Sequence, residues 1–135
     1  MQHQFISQIS ADECREYLDL KTVGRIAFVG DGAIELLPVN YVAQPDGTVF
    51  FSTRQGGVLA GLAEPTAVAF EVDHLDELNQ SGWNVTLHGS TAPATEAELD
   101  ALARRPRPWA PGERAIAIKV VPATLSGRRV RGSIS

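Results

Sequence analysis

The pattern of apolar and polar positions predicts a chain built mainly of short strands, with a few short helices between them. Ser10 and Glu13 have the spacing of a capping box, and apolar residues then recur at helical intervals, which predicts an amphipathic helix over 11–20. Seven later segments are β-branched or alternate in polarity, as strands do. They are 25–29, 33–42, 48–52, 66–72, 83–92, 115–121 and 124–130.

The connections between the first three of these strands are short. Residues 30–32 (Gly-Asp-Gly) and 45–47 (Pro-Asp-Gly) are turn sequences, so the pattern predicts an antiparallel meander over 25–52. Pro38 lies within the second strand and cannot donate a ladder hydrogen bond, which places it at an edge or a bulge.

The middle of the chain contains one further strand and one polar stretch. Residues 66–72 are apolar at most positions, which favours a strand buried on both faces, whereas 73–82 are polar and are predicted to form a surface loop. Short helices are predicted over 56–63 and from residue 95 to just before the Arg105-Pro106 pair. A sheet of this size normally closes on itself, so a mainly β fold is expected: a six- to seven-stranded antiparallel barrel with short helices, as one domain over 1–135.

Composition excludes several classes of protein. The chain has 135 residues, 44% hydrophobic and 21% charged, with a net charge of −4, values typical of a globular domain with no general attraction for nucleic acid or anionic lipid. The arginine clusters at 104–105 and at 128, 129 and 131 are short, and a solvated face or a terminal tail explains them better than a nucleic-acid site. A lone Cys14, no secretory signal in residues 1–4 and no apolar run of membrane length give a cytoplasmic expectation without a membrane partner.

No residue is assigned a catalytic or metal-binding role. His3, His74 and His88 are widely separated, and Cys14 has no partner at ligand spacing. No nucleophile lies beside a base, and no glycine-rich phosphate loop follows a strand.

Three segments carry residues suited to ligand binding. Residues 37–41 (Leu-Pro-Val-Asn-Tyr) end a strand, and 52–57 (Ser-Thr-Arg-Gln-Gly-Gly) offer a hydroxyl, a cation and backbone amides, which an anionic ligand requires. A bulge and a plain turn remain the alternative explanations. Trp109 lies between Pro108 and Pro111, and a rigid loop that presents an indole suits a stacking surface or an oligomer interface. Trp83 is equally compatible with a core position.

In this order the segments resemble the FMN-binding split-barrel family related to pyridoxamine 5′-phosphate oxidase, in particular its small bacterial members. The resemblance extends over most of the chain. It rests on 23–28, 38–41, 52–53, 70–73, 82–85, 88–89, 107–110 and 126–129.

The resemblance implies a homodimer that holds a flavin in a groove between its subunits. Residues 38–41 would line the ring, Ser52 and Thr53 would hydrogen-bond the ring or ribityl chain, 56–59 would face the phosphate, and Trp109 would come from the other subunit. The full set of expected cofactor-binding residues is Pro38, Val39, Asn40, Tyr41, Ser52, Thr53, Arg54, Gly56, Gly57, Val58, Leu59, Trp83 and Trp109.

The chain departs from the family pattern at the phosphate. Gly57 and Val58 stand where the family has a hydroxyl or small residue followed by a phosphate-binding lysine. A lost charge-assisted contact is worth roughly 1.5–3 kcal/mol, about a ten- to hundredfold loss of affinity or more. Arg54, Arg25 or the Gly56 and Gly57 amides are the groups that could replace it. The short stretch after Arg129 also lacks the segment that holds vitamin B6, so oxidation of that substrate is not expected.

Two main functions follow from this comparison. The first is an oxidoreductase in which FMN, or a deazaflavin, passes a hydride to a small-molecule acceptor. The second is a non-catalytic module of the same fold that carries or senses a flavin or haem. A cofactor-free dimer acting as a partner protein is a third alternative.

Overall fold

The computed structural model describes residues 3–133, and these form one antiparallel sheet that curls into a half-barrel. Residues 1, 2, 134 and 135, and with them part of the segment considered for a secretory signal, lie outside the described chain. The strands are β1 (His3–Ile9), β2 (Val23–Gly30), β3 (Ala33–Asn40), β4 (Val42–Ala43), β5 (Val49–Arg54), β6 (Ala67–Asp76), β7 (Ser81–Pro93) and β8 (Ala115–Ser133). The helices are α1 (Ala11–Leu18), α2 (Glu96–Ala103) and a single 3₁₀ turn, Ala60–Ala63.

The strand order is β3-β2-β6-β7-β8-β5-β4, and β1 pairs with β8 beside this path. All pairings are antiparallel. The predicted mainly β, antiparallel, barrel-like fold is confirmed. The structure has eight strands within residues 3–133, against seven predicted. Two of them, β1 and the two-residue β4, were not expected, and the strands predicted at 115–121 and 124–130 are one continuous strand.

The predicted meander is wrong. Strand β5 pairs with β4 and β8, and it is not hydrogen-bonded to β3. The chain leaves β3 at Tyr41, whose N–H donates to the Thr22 carbonyl at 3.0 Å, and crosses to the far end of the sheet. Strand β3 is therefore an edge strand, which confirms the edge position expected for Pro38.

Two further predictions for the middle of the chain are wrong. Strand β6 is buried on one face only, since Val68, Phe70 and Val72 are buried while their neighbours are partly exposed. The expected loop over 73–82 is instead the end of β6, a tight turn and the start of β7, because polar residues occupy the outer face of a hairpin that extends into solvent. The helix expected over 56–63 is reduced to turns followed by the 3₁₀ turn.

The core lies inside the curl of the sheet and is covered by α1. Large buried side chains come from several strands and from the helix, among them Leu18, Ile26, Phe51, Phe70, Leu87 and Ile118. A separate small cluster lies on the other side of β5, where Phe50 is buried near Trp109 and Leu102 is buried on α2. None of the helices within residues 3–133 is long and apolar enough to cross a membrane.

Both α-helices begin at capping residues, of which Ser10 was expected from the sequence. The Ser10 hydroxyl accepts from the Glu13 N–H at 3.2 Å. Thr95 and Glu98 form a complete capping box, in which each side chain accepts from the other residue's N–H. Lys119 on β8 reaches both Glu98 oxygens at 3.0 Å and so fixes α2 to the sheet. Burial alone would raise the pKa of Glu98, but the hydrogen bonds from Thr95 and Lys119 hold it below its ordinary value.

The Glu98→Gln variant tests this attachment. It should lower the free energy of unfolding by about 1 kcal/mol near neutral pH, since Gln keeps an acceptor for the cap but loses the charge opposite Lys119. A lowered pKa in the folded state gives stability that is present above the unfolded value, near 4.5, and lost as pH falls through the folded pKa.

Denaturant titrations at neutral and strongly acidic pH measure the effect. The difference between wild type and variant should disappear in acid, whereas Glu96→Gln in the same helical turn should differ little from wild type at either pH. An equal loss of stability in both variants would show that the helix dipole, and not the Lys119 contact, accounts for the effect.

Candidate functional site

The end of β5 presents polar groups on alternating faces. Ser52 and Arg54 are exposed on the outer face, and Thr53 between them is half-buried on the inner face. All three pair with the beginning of β8, where their partners are Ala117, Ile116 and Ala115. The hydroxyl and the guanidinium predicted to bind a ligand are therefore held by the ladder with β8 up to the last residue of the strand, while the edge towards β4 is paired only at Val49 and Phe50.

A tight turn follows directly. The Gly57 N–H donates to the Arg54 carbonyl at 3.1 Å, and Gly56 has φ of +79°, as the third position of such a turn requires. A Cβ at residue 57 would lie 3.2 Å from both the Arg54 carbonyl oxygen and the Thr53 Oγ1. Because residues 56 and 57 are glycines, no side chain covers the backbone of this turn.

The residue after the turn carries no charge. Val58 is 70% exposed, and Leu59 packs against the core. The position at which the resemblance leads one to expect a lysine is thus an exposed apolar side chain, and Arg54 is the cation on this segment.

Residues 38–41 alternate between the two faces of the sheet. Pro38 and Asn40 are exposed, while Val39 and Tyr41 are buried. The Tyr41 hydroxyl donates to the Leu18 carbonyl at 2.5 Å, and burial, together with Asp19 nearby, raises the pKa of this phenol. A ligand beside this segment would meet the Pro38 and Asn40 side chains and the backbone, not the phenol. Strands β3 and β5 also approach to within 8 Å between Cα atoms, across the open side of the curl.

Trp109 lies against its own chain. Its backbone N–H donates to the Leu102 carbonyl at 3.0 Å, and the centre of its ring is 6.5 Å from that of Phe50. Phe50 shares the outer face of β5 with Ser52 and Arg54, because these residues are two apart along one strand. The half-buried indole is therefore held over the face that carries the predicted ligand-binding groups.

Trp83 lies apart from this group. Its ring is 4.6 Å from Tyr17 and 6.3 Å from His74, and it pairs with Arg129 near the end of β8. The predicted residues of β5 pair with the beginning of that strand. The structure therefore brings Trp109 close to β5, and it places Trp83 elsewhere on the inner face.

A polar cluster that the sequence pattern did not indicate lies on the outer face of β2, β6 and β7. Arg25 Nη1 donates to Asp73 at 2.8 Å and lies 3.6 Å from Glu71, which also accepts from Asn84 at 3.0 Å. Burial is the main cause that raises the pKa of Glu71, and the neighbouring Asp73 raises it further, against the opposing effects of Asn84 and Arg25.

The cluster borders an open groove of about 630 Å³, which also contains Arg128, Ile6 and Val130. The alternation of apolar and polar residues at 70–73 was the signal that could have placed Glu71 and Asp73 on one face of the sheet. The prediction that 66–72 is buried on both faces concealed this signal.

The same outer face carries exposed apolar side chains on the β2–β3 hairpin. Ile34 is 79% exposed, Val29 68% and Leu36 63%. The register pairs Val29 with Ile34 and Ala27 with Leu36, so these four residues form one strip. We call these four residues the hairpin strip.

No group of three or more potential metal ligands is present among the residues that the structure describes.

Comparisons with known proteins assign the family. A family model described as pyridoxamine 5′-phosphate oxidase matches residues 10–129. An FAD binding protein from Mycobacterium smegmatis is 32% identical, with a TM-score of 0.76 and coverage of 91% of this chain and 98% of that one. An FAD-binding protein from Mesorhizobium loti is 21% identical, with a TM-score of 0.69 and coverage of 92% and 97%, a likeness of fold alone. The uncharacterized protein Rv0080 of Mycobacterium tuberculosis is 25% identical over 131 residues, 93% of this chain and 86% of that protein.

The family model thus covers most of the chain, and the curled antiparallel sheet agrees with it. The chain belongs to the pyridoxamine 5′-phosphate oxidase-like family and has its split-barrel fold.

Proposed function

We propose that this protein is a flavin-dependent oxidoreductase, whose flavin lies in a groove completed by a second copy of the chain and passes a hydride to a small acceptor. The observation that carries the proposal is the turn after β5, where Gly56 and Gly57 leave the backbone open beside Arg54. The relative that is 32% identical over most of both chains is itself an FAD binding protein, which supports the same ligand class.

The residues around the turn have complementary roles in this proposal. Exposed Ser52 offers a hydroxyl, and Arg54 offers the positive charge that a phosphate requires. Trp109, held over the same face, supplies a flat apolar wall for a ring. Pro38 and Asn40 bound the groove from β3. A bound flavin supplies the redox chemistry, so these residues need only bind it, orient it and exclude water.

FMN is the cofactor we favour, with a deazaflavin as the alternative. A terminal phosphate would meet one guanidinium and the amides of Gly56 and Gly57, because Val58 offers no charge. The FAD bound by the relative from Mycobacterium smegmatis adds a third candidate, whose diphosphate would extend beyond the turn. All three carry a flat tricyclic ring of the same shape, which is what the proposed groove would accommodate.

The hairpin strip supports the second copy. Exposed apolar residues in a contiguous patch are typical of protein interfaces, and Ile34, Leu36 and Val29 are all more than 60% exposed. The neighbouring cluster has one Arg25 beside two carboxylates, charges that a twofold-related copy could pair reciprocally.

A non-catalytic carrier of a flavin is the second candidate. Val58 at the position of the phosphate-binding lysine favours it, since a weakly held cofactor can be exchanged between proteins. Turnover distinguishes the two: a carrier binds the flavin but does not speed its reoxidation by an acceptor.

The visible absorption spectrum tests the cofactor. Protein as purified, and after addition of FMN, FAD or a deazaflavin followed by gel filtration, should carry the absorption bands of at least one of them at close to one per chain. Reoxidation of the reduced complex by small acceptors should then be faster than that of the free cofactor. Protein that retains none of the three would contradict the proposal.

Replacing Arg54 tests the phosphate contact. Arg54→Gln should weaken FMN binding by about ten- to a hundredfold, because it removes the cation beside the turn, with unchanged thermal stability. Arg104→Gln, an equally exposed arginine at the end of α2, is the matched control and should bind FMN as wild type does. Fluorescence titration measures both, and equal affinities in the two variants would exclude Arg54 as the phosphate ligand.

Replacing Leu36 tests the dimer. Leu36→Glu puts a charge in the hairpin strip and should shift the protein from dimer to monomer, with loss of flavin binding. Leu78→Glu, at a position that is 89% exposed on the β6–β7 turn, should remain dimeric. Light scattering after size exclusion gives the masses. A monomeric wild type, or a dimeric Leu36→Glu that keeps its flavin, would refute this interface.

A further inference from the structure

The inner face of the sheet continues beyond α1. In the register, the core residues Val72, Val85 and Gly127 are followed two positions further by His74, Trp83 and Arg129. Two positions beyond these lie Asp76, Ser81 and Arg131. These two outer rows, His74, Trp83, Arg129, Asp76, Ser81 and Arg131, are here called the shelf. They surround an open groove of about 260 Å³.

Aromatic rings form one side of the shelf. Trp83 contacts Tyr17 of α1, with ring centres 4.6 Å apart, and its ring lies nearly parallel to that of His74, at 26° and 6.3 Å. Trp83 is only partly buried, and His74 is exposed. A further planar group can therefore stack at the open end of this row.

Cations surround the rings. Lys21 Nζ lies 2.9 Å from Nδ1 of His74 and 5.9 Å from the centre of the Trp83 ring. Because an ammonium group can only donate, Nδ1 accepts, and the remaining proton of a neutral ring is on Nε2. His74 thus offers an N–H donor to a ligand on the shelf.

The arginines give the shelf a positive balance. Arg129 and Arg131 both border the groove. Asp76 is the carboxylate of the shelf, and both of its oxygens accept hydrogen bonds from Asn79, at 2.7 and 3.2 Å. Glu13 approaches Arg129 from α1 at 3.6 Å. Arg131 lies two residues further along β8 than Arg129 and is exposed at the groove.

A purely structural role explains only part of this arrangement. Arg129 donates to the Tyr17 hydroxyl and lies 5.9 Å from the centre of the Tyr17 ring, which ties α1 to the sheet. His74, Ser81 and Arg131 lie beyond that helix and border a groove instead of filling it.

We propose that the shelf is a second ligand site, separate from the flavin groove, for an aromatic ring linked to a phosphate, as in a nucleoside monophosphate. The ring stacks at the His74 and Trp83 end, and Arg129 and Arg131 hold the phosphate with charge-assisted hydrogen bonds. The site lies towards the opposite end of β8 from the pairing partners of Ser52 and Thr53.

Titration of the whole protein with AMP, adenosine and inorganic phosphate tests the site. The chain has two tryptophans, so its indole N–H signals in a proton–nitrogen NMR spectrum are assigned with a Trp109→Phe variant. AMP should shift the Trp83 signal at a concentration at least tenfold lower than adenosine or phosphate alone. The Trp109 signal should stay in place.

A pair of arginine variants separates the shelf from general charge effects. Arg131→Gln should weaken AMP binding by about tenfold or more and leave adenosine unchanged. Arg104→Gln, an exposed arginine at the end of α2 that borders neither groove, should bind AMP as wild type does. Equal losses in both variants, or no shift of Trp83, would overturn the proposal.

The titration is repeated on protein saturated with the flavin that it retains. An unchanged AMP response confirms a separate site, whereas loss of the response would show that AMP occupies the flavin groove, and the inference would fail. Flavin binding itself is read from visible absorbance, so failure of the shelf and failure of the flavin proposal give different results.

Discussion

The pairing of β8 is the constraint on which the other elements depend. One edge of this strand pairs with β7 along most of its length, while the other edge is shared by β5 at residues 115–120 and β1 at residues 127–133. The register on β7 shifts between His88 and Gly89, so Ala123 is an extra residue between the partners Thr124 and Pro122. A bulge of this kind bends a strand and increases its twist, which allows one strand to serve two parts of a curled sheet.

Close approach of the backbones makes that bend possible. A Cβ at residue 89 would lie 2.1 Å from the Val121 carbonyl oxygen, so β7 could not pack here with any residue larger than glycine unless the strands separated. The part of β8 before Ala123 pairs with β5 and so supports the turn that follows β5. The part after Ala123 contains Arg129 and Arg131. The two proposed ligand sites are thus held by the two halves of one strand.

The sequence predicted the elements whose determinants are local. The capping box at Ser10 located α1, the acidic residues after Thr95 located α2, and the residues at 30–32 located the β2–β3 hairpin, because these signals act within a few positions. The pairing of β5 with β8 was missed because its partners are more than sixty residues apart, and no periodicity reports on such a contact. Polarity over 73–82 concealed a hairpin, since strands that extend into solvent need few apolar residues.

The candidate site was predicted in a similar way. The glycine pair and the exposed hydroxyl and guanidinium were found because their residue types carry the chemistry. The burial of Tyr41 and the engagement of Trp83 by Tyr17 depend on how α1 lies on the sheet, and the one-dimensional pattern does not contain that position.

The pairing of β1 with the end of β8 also has a consequence for the order of folding. His3 lies opposite Ser133 and Ile9 opposite Gly127, so β1 leaves the ribosome long before its hydrogen-bonding partner, the end of β8, has been made. Strands β2 to β7 are therefore synthesised before β1 can form this pairing. Such long-range closure is slow because the loop entropy is lost before the contacts form. The segment that forms β1 therefore lacks its partner until residues 127–133 have been synthesised, and chaperone binding would protect it during that interval.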